Sequence, residues 1–381
     1  MPIGTEVKKP RICMPSGRLF KKKAFLAGHY EGQDVLQEID DVDLICLEPG
    51  PGYEFKEKWQ RRLLFHDFSR RLIYQNPGFK KVRLTQEYDL FLAVCQYAHD
   101  FVHINAIEGW KDKCKVSVCW IDELWLAELP QHEYWIHALK KFDYVFISCL
   151  DTVETLSKII DKPSRWLPGA VDALRFSPYP GVPSRVVDLY SIGRRIEAIH
   201  KELLRAAENG SIFYLHDTFA GSLSDVYDYK QHRHLVSSIA KRSKFFMVAP
   251  GKVNSPDETR GQEEIGRRYY EGAAAGTVMI GQPPDCESYR RMFPWSDAVI
   301  KVESNGSDVL DVIAKLKRVP EQVVSISQRN AAEALLRHDW LYRWKELLQT
   351  AGLEPLPQMA VREKRLRELA DHILTTANPC A

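Results

Sequence analysis

The sequence lacks several features that would place a protein in a specialised class. No stretch of its 381 residues approaches the ~18 consecutive apolar residues of a membrane-spanning helix. Its N-terminus, MPIGTEVKKP, has no apolar signal region, so we expect a cytoplasmic protein. With 53 basic and 51 acidic residues, the net charge of +2 argues against a dedicated nucleic-acid binder. We also find no internal repeat and no low-complexity segment.

Cysteine pairs of the CxxC type are also missing. The eight cysteines are scattered along the chain. Several lie inside apolar runs, where a thiol usually behaves as a small buried hydrophobe: Cys46, Cys95, Cys119 and Cys149. This pattern predicts a reducing compartment and no structural zinc site.

What the sequence has in quantity is short apolar segments that alternate with amphipathic ones. The segments that we predict as strands are Arg11–Met14, Asp43–Leu47, Tyr88–Val94, Lys115–Trp120, Phe142–Ser148, Val186–Ile192, Ile212–Leu215, Phe245–Val248, Val278–Ile280 and Ala298–Val302. The main predicted helices cover residues 19–39, 54–73, 99–110, 131–141, 151–161, 196–203, 232–242, 321–349 and 360–376. Because the strands are apolar on both faces, we expect parallel sheets covered by helices.

The chain is long enough for two such domains. The segment YPGVPS at 179–184 is rich in proline and glycine and is typical of a linker. We therefore predict an α/β protein with two doubly wound domains, residues 1–180 and 185–350, followed by a helical tail at 351–381.

The most informative stretch is Glu263–Ile280, EEIGRRYYEGAAAGTVMI, which we interpret as a loop, a helix and a strand. Gly266 permits a tight turn and a close approach to a ligand. The helix after it would direct free N–H groups and a positive dipole end at that ligand, which suits a phosphate. Glu263 and Glu271 are just over two helical turns apart and could face one pocket. A surface helix with two solvated glutamates is the alternative.

The same stretch resembles the signature of family 4 retaining glycosyltransferases of the GT-B fold. That pattern has two glutamates separated by seven residues, a glycine at the third step, a run of small residues and Gly-Thr. The matching residues here are Glu263, Gly266, Glu271, Gly276 and Thr277. Val278 stands where proline is usual. The segments ETRGQEE, FPWSDAVIKV and PSRWLPGAVDALRFSP also resemble parts of this fold. The resemblance implies two Rossmann-like domains, one for the acceptor and one for the donor, facing across a cleft.

The resemblance also implies a function. The protein would move a sugar from a nucleotide-diphosphate donor, a UDP- or GDP-sugar, to a hydroxyl acceptor, with retention and with neither metal nor cofactor. Glu271 would accept hydrogen bonds from the donor ribose, and Glu263 would lie near the transferred sugar. The donor phosphates would be held by the backbone around Gly266 and Arg267 and by residues that resemble a Gly-Arg…Lys element: Gly193, Arg194, Arg195 and Lys201. The residue pattern alone leaves a solvated basic helix start as the alternative.

The first domain departs from the family pattern. Many members have a histidine at the end of the strand that corresponds to 115–120, where this chain has Trp120-Ile121-Asp122-Glu123. Asp122 is the nearest polar candidate for a catalytic contact, and capping of a helix at 123–128 is its alternative role. Ser16 and Gly17 follow the first strand, where acceptors enter such folds; a simple turn is equally compatible. An inverting enzyme with Asp122 as base and a non-catalytic nucleotide-sugar-binding protein are the alternative functions.

Other patterns are weaker. His99 and His103 could hold a metal from one helix face, but no third ligand is evident, so we favour a surface or core role. His232 and His234 are likewise unsupported. Asp41-Val42-Asp43 mimics the metal-binding triplet of the other large glycosyltransferase fold, but it precedes its strand.

The tail has one apolar helix face, formed by Leu366, Leu369, Ala370 and Ile373. We expect this face to pack on the body or on a second copy in a homodimer. Peripheral contact with an anionic membrane is the alternative, carried by the basic residues Arg362, Lys364, Arg365 and Arg367.

Overall fold

A computed structural model describes residues 9–63, 72–218 and 225–377. These residues form two compact units. The first unit contains residues 9–21, 36–168 and 345–359, and the second contains residues 22–35, 169–344 and 360–377. Each unit is built on a parallel sheet, so the predicted α/β class with two doubly wound, Rossmann-like domains is confirmed.

The first unit contains eight described strands. They are β1 (Ile12–Ser16), β2 (Val42–Cys46), β3 (Val82–Arg83), β4 (Tyr88–Tyr97), β5 (Ile107–Glu108), β6 (Cys114–Glu123), β7 (Tyr144–Ile147) and β8 (Ser164–Trp166). Six of them form a sheet in the order β2-β1-β4-β6-β7-β8, and β3 pairs with β5. The strand order changes direction between β1 and β4.

Five α-helices begin before residue 168 in the described part: α1 (Ala27–Ile39), α2 (Tyr53–Leu63), α3 (Trp110–Lys113), α4 (Glu133–Ala138) and α5 (Val153–Ile160). Residues of α1 up to Val35 belong to the second unit. The first unit's core includes a stack of three rings, with centroids 4.5 Å apart for Phe91 and Trp110 and 5.5 Å apart for Trp110 and Phe142.

The second unit has a five-stranded sheet. Its strands are β9 (Val187–Ser191), β10 (Tyr214–His216), β11 (Ser243–Val248), β12 (Val278–Gly281) and β13 (Val299–Lys301). Their order is β10-β9-β11-β12-β13, and every pairing is parallel. From the junction of β9 and β11, the strands are therefore added towards opposite edges of the sheet, β10 on one side and β12 and β13 on the other.

Ten further α-helices follow in the described part of the chain. They are α6 (Ala173–Phe176), α7 (Glu197–Glu208), α8 (Tyr229–Lys241), α9 (Pro256–Thr259), α10 (Arg267–Ala274), α11 (Glu287–Met292), α12 (Val309–Lys317), α13 (Pro320–Arg337), α14 (Trp340–Thr350) and α15 (Pro357–Ala377). The described part of the chain has no helix with the length and apolarity needed to cross a membrane.

All ten predicted strands are present, with their ends shifted by a few residues. The helix predicted at 19–39 is shorter, because Ala24–Leu26 is 3-10 helical and α1 starts at Ala27. The helix predicted at 54–73 is present to Leu63, and residues 64–71 lie outside the described part.

One helix prediction in the first unit is wrong. Residues 98–106 form a 3-10 helix that runs into β5, rather than an α-helix over 99–110. The alternative role of Asp122, as the cap of a helix at 123–128, is not observed either. The helix there begins at Leu126, is 3-10 helical and has Trp125 as its cap, while Asp122 lies inside β6. The strand continues because β6 pairs with both β4 and β7 up to this end of the sheet.

The helix predicted at 321–349 is divided in two. Asp339 separates α13 from α14, and its carboxylate accepts the backbone N–H of Leu341 at 2.9 Å. An aspartate that satisfies a free N–H at a helix start favours a new helix over continuation of the old one.

The compact units do not follow the predicted limits at 180 and 350. Residues 22–35 and 169–180 belong to the unit of the second sheet, and residues 345–359 belong to the unit of the first. In the tail, Leu366, Ala370 and Ile373 are buried as predicted. Arg362, expected on a basic surface, is only 3% exposed instead. Its guanidinium forms ion pairs with the carboxylates of Asp172 and Asp339, which are described below.

Candidate functional site

The carboxyl ends of β9 and β11 form the most promising site in the second unit. β9 ends at Ser191, and the Gly193 loop (residues 192–196) follows it. β11 ends at Val248, and its loop runs to Ser255 before α9. Because the strand order reverses between these two strands, their connections diverge, and open parallel sheets bind ligands at such an edge.

The Gly193 loop is held by Asp217, which follows β10. Gly193 has φ +83°, a conformation that favours glycine, and its N–H donates to Asp217 Oδ2 at 2.5 Å. Arg195 Nη1 donates to the carbonyl oxygen of Asp217 at 3.0 Å. Arg194 Nη1 reaches Ser255 Oγ in the β11 loop at 3.3 Å. The structure thus brings together three of the four residues predicted for this element.

Lys201, the fourth, is exposed on α7. Within the described residues, no hydrogen bond or ion pair connects it to Gly193, Arg194 or Arg195.

Helix α10 begins where the sequence predicts, with Gly266 as its N-cap. A Cβ on Gly266 would lie 2.9 Å from the carbonyl oxygen of Ala249, so this close approach to the β11 loop needs glycine. The two arginines after it point to different neighbours. Arg267, the one predicted to hold donor phosphate, lies on Gly28 and is 3.1 Å from His29 Nε2.

Arg268 is the arginine that faces the Gly193 loop. A Cβ built on Gly193 would be 3.4 Å from Arg268 Nη2. Arg268 Nη1 also donates to Glu271 Oε2. This guanidinium therefore lies between the loop after β9 and the second glutamate of the motif.

Glu271 is completely buried and both of its oxygens are engaged. Oε1 accepts from Arg233 Nη1, and Oε2 accepts from Arg268. Burial alone would raise the pKa of Glu271, but the two cations outweigh it and lower the pKa to about 2. Glu271 is thus a fixed anion, and the expectation of a solvated glutamate is wrong.

Arg233 is fixed in turn by Glu31. Arg233 Nε donates to Glu31 Oε2 at 2.7 Å and its Nη2 donates to Oε1 at 3.1 Å, while the N–H of Asp172 donates to Oε1 at 2.8 Å. The Arg233 guanidinium also lies 4.7 Å from the ring centre of Phe176. Sequence reasoning missed Glu31, Arg233 and Asp217, since these residues are far from their partners along the chain and carry no local pattern.

His232 adjoins this charge cluster, and His234 is exposed. Burial, followed by the positive charges of Arg268 and Arg233, lowers the pKa of His232 to about 4. His232 is therefore neutral at physiological pH. It belongs to no group of three or more potential metal ligands among the described residues.

Glu263 is held from the loop after β12. Its Oε2 accepts the backbone N–H of Asp285 at 2.6 Å. The neighbouring Glu264 is the more buried of the two, and its carboxylate accepts from Gln262 at 2.9 Å and from Ser288 at 3.1 Å. The structure therefore gives Glu263 a defined position at the carboxyl edge of the sheet and gives Glu264 a packing role.

In the first unit, Ser16 ends β1 at the junction of β1 and β4. The carbonyl oxygen of Gly17 accepts the N–H groups of Phe20 at 3.0 Å and Lys21 at 2.8 Å, so this loop is a tight turn. Asp122 is the penultimate residue of β6, and its carbonyl oxygen accepts the hydroxyl of Ser148. All three residues lie at carboxyl ends of parallel strands.

The candidate metal residues of the first unit have other partners. Asp100 forms an ion pair with Lys21 and lies 3.7 Å from His99. His103 is buried, with its ring against Phe20 and Phe79. Asp43 accepts the hydroxyl of Tyr88. In residues 9–63, 72–218 and 225–377, no group of three or more His, Cys, Asp or Glu side chains has the geometry of a metal site.

Comparison with protein families gives a match that lies mainly in the second unit. Residues 194–349 match the model of a family described as "Glycosyl transferase-like". This match includes Glu263, Gly266 and Glu271, and it agrees with the expected resemblance to glycosyltransferases. None of the curated proteins gives a significant match.

Comparison with solved structures gives matches of low sequence identity. HepE from Anabaena, in complex with UDP and glucose, has 11% identity and a TM-score of 0.48, and the alignment covers 90% of this chain and 100% of HepE. A glycosyltransferase from Rickettsia africae has 10% identity and a TM-score of 0.48, with 90% and 98% coverage. The pneumococcal O-GlcNAc transferase GtfA, in complex with UDP and GlcNAc, has 14% identity and a TM-score of 0.41, with 69% and 57% coverage.

Proposed function

We propose that this protein transfers a sugar from a nucleotide-diphosphate donor, a UDP- or GDP-sugar, to a hydroxyl acceptor, with retention and without a metal. The observation that carries the proposal is the convergence of Gly193, Arg194 and Arg268 at the junction of β9 and β11. Arg194 and Arg268 lie inside the region that matches the glycosyltransferase-like family, and Gly193 immediately precedes it. In open parallel sheets, ligands bind at such a junction, beyond the carboxyl ends of the strands.

The charges at this edge suit a diphosphate. Arg194, Arg195 and Arg268 come from two elements, and the N-terminus of α10 adds a positive dipole end beside them. A departing diphosphate gains negative charge, and fixed cations and N–H groups stabilise that charge without reorganisation. These cations and N–H groups support a transfer reaction in which side chains and backbone, rather than a metal, stabilise the departing diphosphate.

The two glutamates then have separate roles. Glu271 is a buried, permanently charged acceptor suited to ribose hydroxyls, which its position behind Arg268 supports. Glu263, held by the Asp285 N–H, would lie near the transferred sugar. The acceptor hydroxyl attacks on the face that the diphosphate leaves, and the departing phosphate accepts its proton. No side chain is assigned as a nucleophile.

The proposal is tested by the release of nucleoside diphosphate from UDP- and GDP-sugars in the presence of EDTA. We expect slow donor hydrolysis by the wild type. Glu263→Gln should lower the rate at least about tenfold, or ~1.4 kcal/mol, with little change in nucleotide affinity. Glu287→Gln is the matched control, because Glu287 is exposed and pairs with Arg290 and Arg291 on its own helix.

Full activity in Glu263→Gln would contradict the role of Glu263. A wild type that binds a nucleoside diphosphate but consumes none of the donors, even with candidate acceptors, would instead show a non-catalytic binding protein. Activity that requires an added divalent cation would overturn the metal-independent part of the proposal.

A further inference from the structure

Four charged side chains of the second unit form a continuous chain: Glu31, Arg233, Glu271 and Arg268. Arg233 bridges the two carboxylates, and Arg268 binds the far oxygen of Glu271. Two carboxylates and two guanidinium groups balance each other. If Arg268 leaves, one negative charge remains buried without a cation, and Glu271 then needs another hydrogen-bond donor.

The members of this chain differ in their freedom to move. The side chains of Glu31, Arg233 and Glu271 are at most 3% exposed, whereas that of Arg268 is 24% exposed. Arg233 is also held at both ends and against Phe176. Arg268 is therefore the member that a ligand in solution can displace.

Arg268 also occupies a place that a nucleotide would need. It covers Glu271 on one side and lies against Gly193 on the other. Because Glu271 is completely buried and Arg268 covers its far oxygen, a ribose hydroxyl reaches that oxygen only if the Arg268 side chain moves aside. The Gly193 loop, where the phosphates would lie, is so near that a Cβ on Gly193 would be 3.4 Å from Arg268 Nη2, so a small rotation brings the cation to the phosphates.

We propose that Arg268 is a specificity-determining residue that exchanges Glu271 for the donor diphosphate when ribose hydroxyls bind Glu271. This inference rests on the proposed donor site. It adds that ribose binding at Glu271 is coupled to diphosphate binding by Arg268. The ribose supplies donors to Glu271, and the released guanidinium binds phosphate, for which its planar fork is well suited. Nucleotides with both a ribose and a diphosphate are selected over those that lack either part.

The test is calorimetric titration of the full chain. UDP, GDP, ADP and CDP are compared first, and the nucleoside, monophosphate and diphosphate of the preferred base are then titrated into the wild type, Arg268→Leu, Arg268→Gln and Arg268→Lys. Arg329→Leu is the matched control, since Arg329 is exposed and pairs with Asp297 at 3.0 Å. Thermal melts establish which variants fold, and Arg268→Gln replaces Arg268→Leu if the latter does not.

We expect the ratio of diphosphate to monophosphate affinity to fall about tenfold or more in Arg268→Leu and Arg268→Gln. The affinity for the nucleoside should stay the same or increase, since no cation competes for Glu271. Arg268→Lys should restore part of the ratio, and Arg329→Leu should match the wild type.

Equal weakening of all three ligands, or no change in any, would overturn this inference and leave Arg268 as a structural residue. In that case the wild type would still bind the diphosphate, and the proposed donor site would stand. A wild type that binds none of the four diphosphates would overturn both.

Discussion

At the scale of single residues, buried charged side chains of the second unit are stabilised by partners of opposite charge. Arg362 donates through Nε to Asp339 Oδ1 at 2.9 Å, and through Nη2 to Asp339 Oδ2 at 2.8 Å and Asp172 Oδ1 at 2.7 Å. The cation outweighs the effect of burial and lowers the pKa of Asp172. Asp172 also caps α6, and Asp339 caps α14, so one arginine of α15 fixes two helix starts.

Arg362→Leu should therefore be strongly destabilising. It leaves Asp339 buried without its cation and removes one of the two cations of Asp172, which keeps Arg175 at 3.2 Å. Breaking a buried pair costs about 3–5 kcal/mol. Denaturant unfolding measures this loss. Arg367→Leu is the control on the same helix, because Arg367 pairs with Glu363 at an exposed position and such pairs contribute about 0–1 kcal/mol. Equal losses in the two variants would contradict the account of α15.

His232 gives the second unit a dependence on pH. Its pKa is lowered from 6.5 to about 4 in the folded protein, so the unfolded chain binds a proton at a higher pH than the folded one does. Its contribution to stability is complete above pH 6.5 and is lost as the pH falls towards 4. His232→Gln should make the decline in the denaturation midpoint between pH 6.5 and 4 less steep.

The decline below pH 4.5 has a different origin, because Glu271 titrates there, with a folded pKa of about 2. Denaturation curves collected at intervals from pH 8 to 3 separate the two ranges. Parallel profiles for the wild type and His232→Gln above pH 4 would show that burial of His232 does not affect stability.

At the scale of elements, α10 was predictable from the sequence and its charged partners were not. The loop, helix and strand of Glu263–Ile280 are present as predicted. Gly266 and the small residues after Glu271 let the helix pack closely against its neighbours. Arg233 is 38 residues from Glu271 and 202 residues from Glu31 along the chain. A pairing of that separation leaves no local pattern. β8 was missed because three residues, Ser164–Trp166, are too few to show an alternation.

The start of α10 gives a prediction for an element. In Gly266→Ala, the added Cβ would lie 2.9 Å from the backbone oxygen of Ala249, which cannot move aside as a side chain can. We expect a loss of about 1–3 kcal/mol and weaker nucleotide binding, because the helix start must shift away from the β11 loop. Gly181→Ala is the control, since a Cβ there meets no atom within 4 Å. Unchanged stability and binding in Gly266→Ala would contradict the close approach.

At the scale of the whole molecule, the number and class of the domains followed from the sequence, while their composition did not. Strands that are apolar on both faces predict covered parallel sheets wherever they occur. Nothing in residues 22–35 indicates that they pack in the second unit, because Gly28 and Glu31 become informative only beside Arg267 and Arg233. The linker expected at 179–184 likewise lies within the second unit.

The central claim is that the second unit holds a nucleoside diphosphate beside Glu271. It is tested most directly by calorimetric titration of the wild type and Glu271→Gln with UDP, GDP, ADP and CMP in the absence of metal. We expect one diphosphate to bind selectively to the wild type and to lose at least about tenfold in affinity in a folded Glu271→Gln variant. Binding of no nucleotide, or equal affinity in the wild type and Glu271→Gln, would contradict the claim.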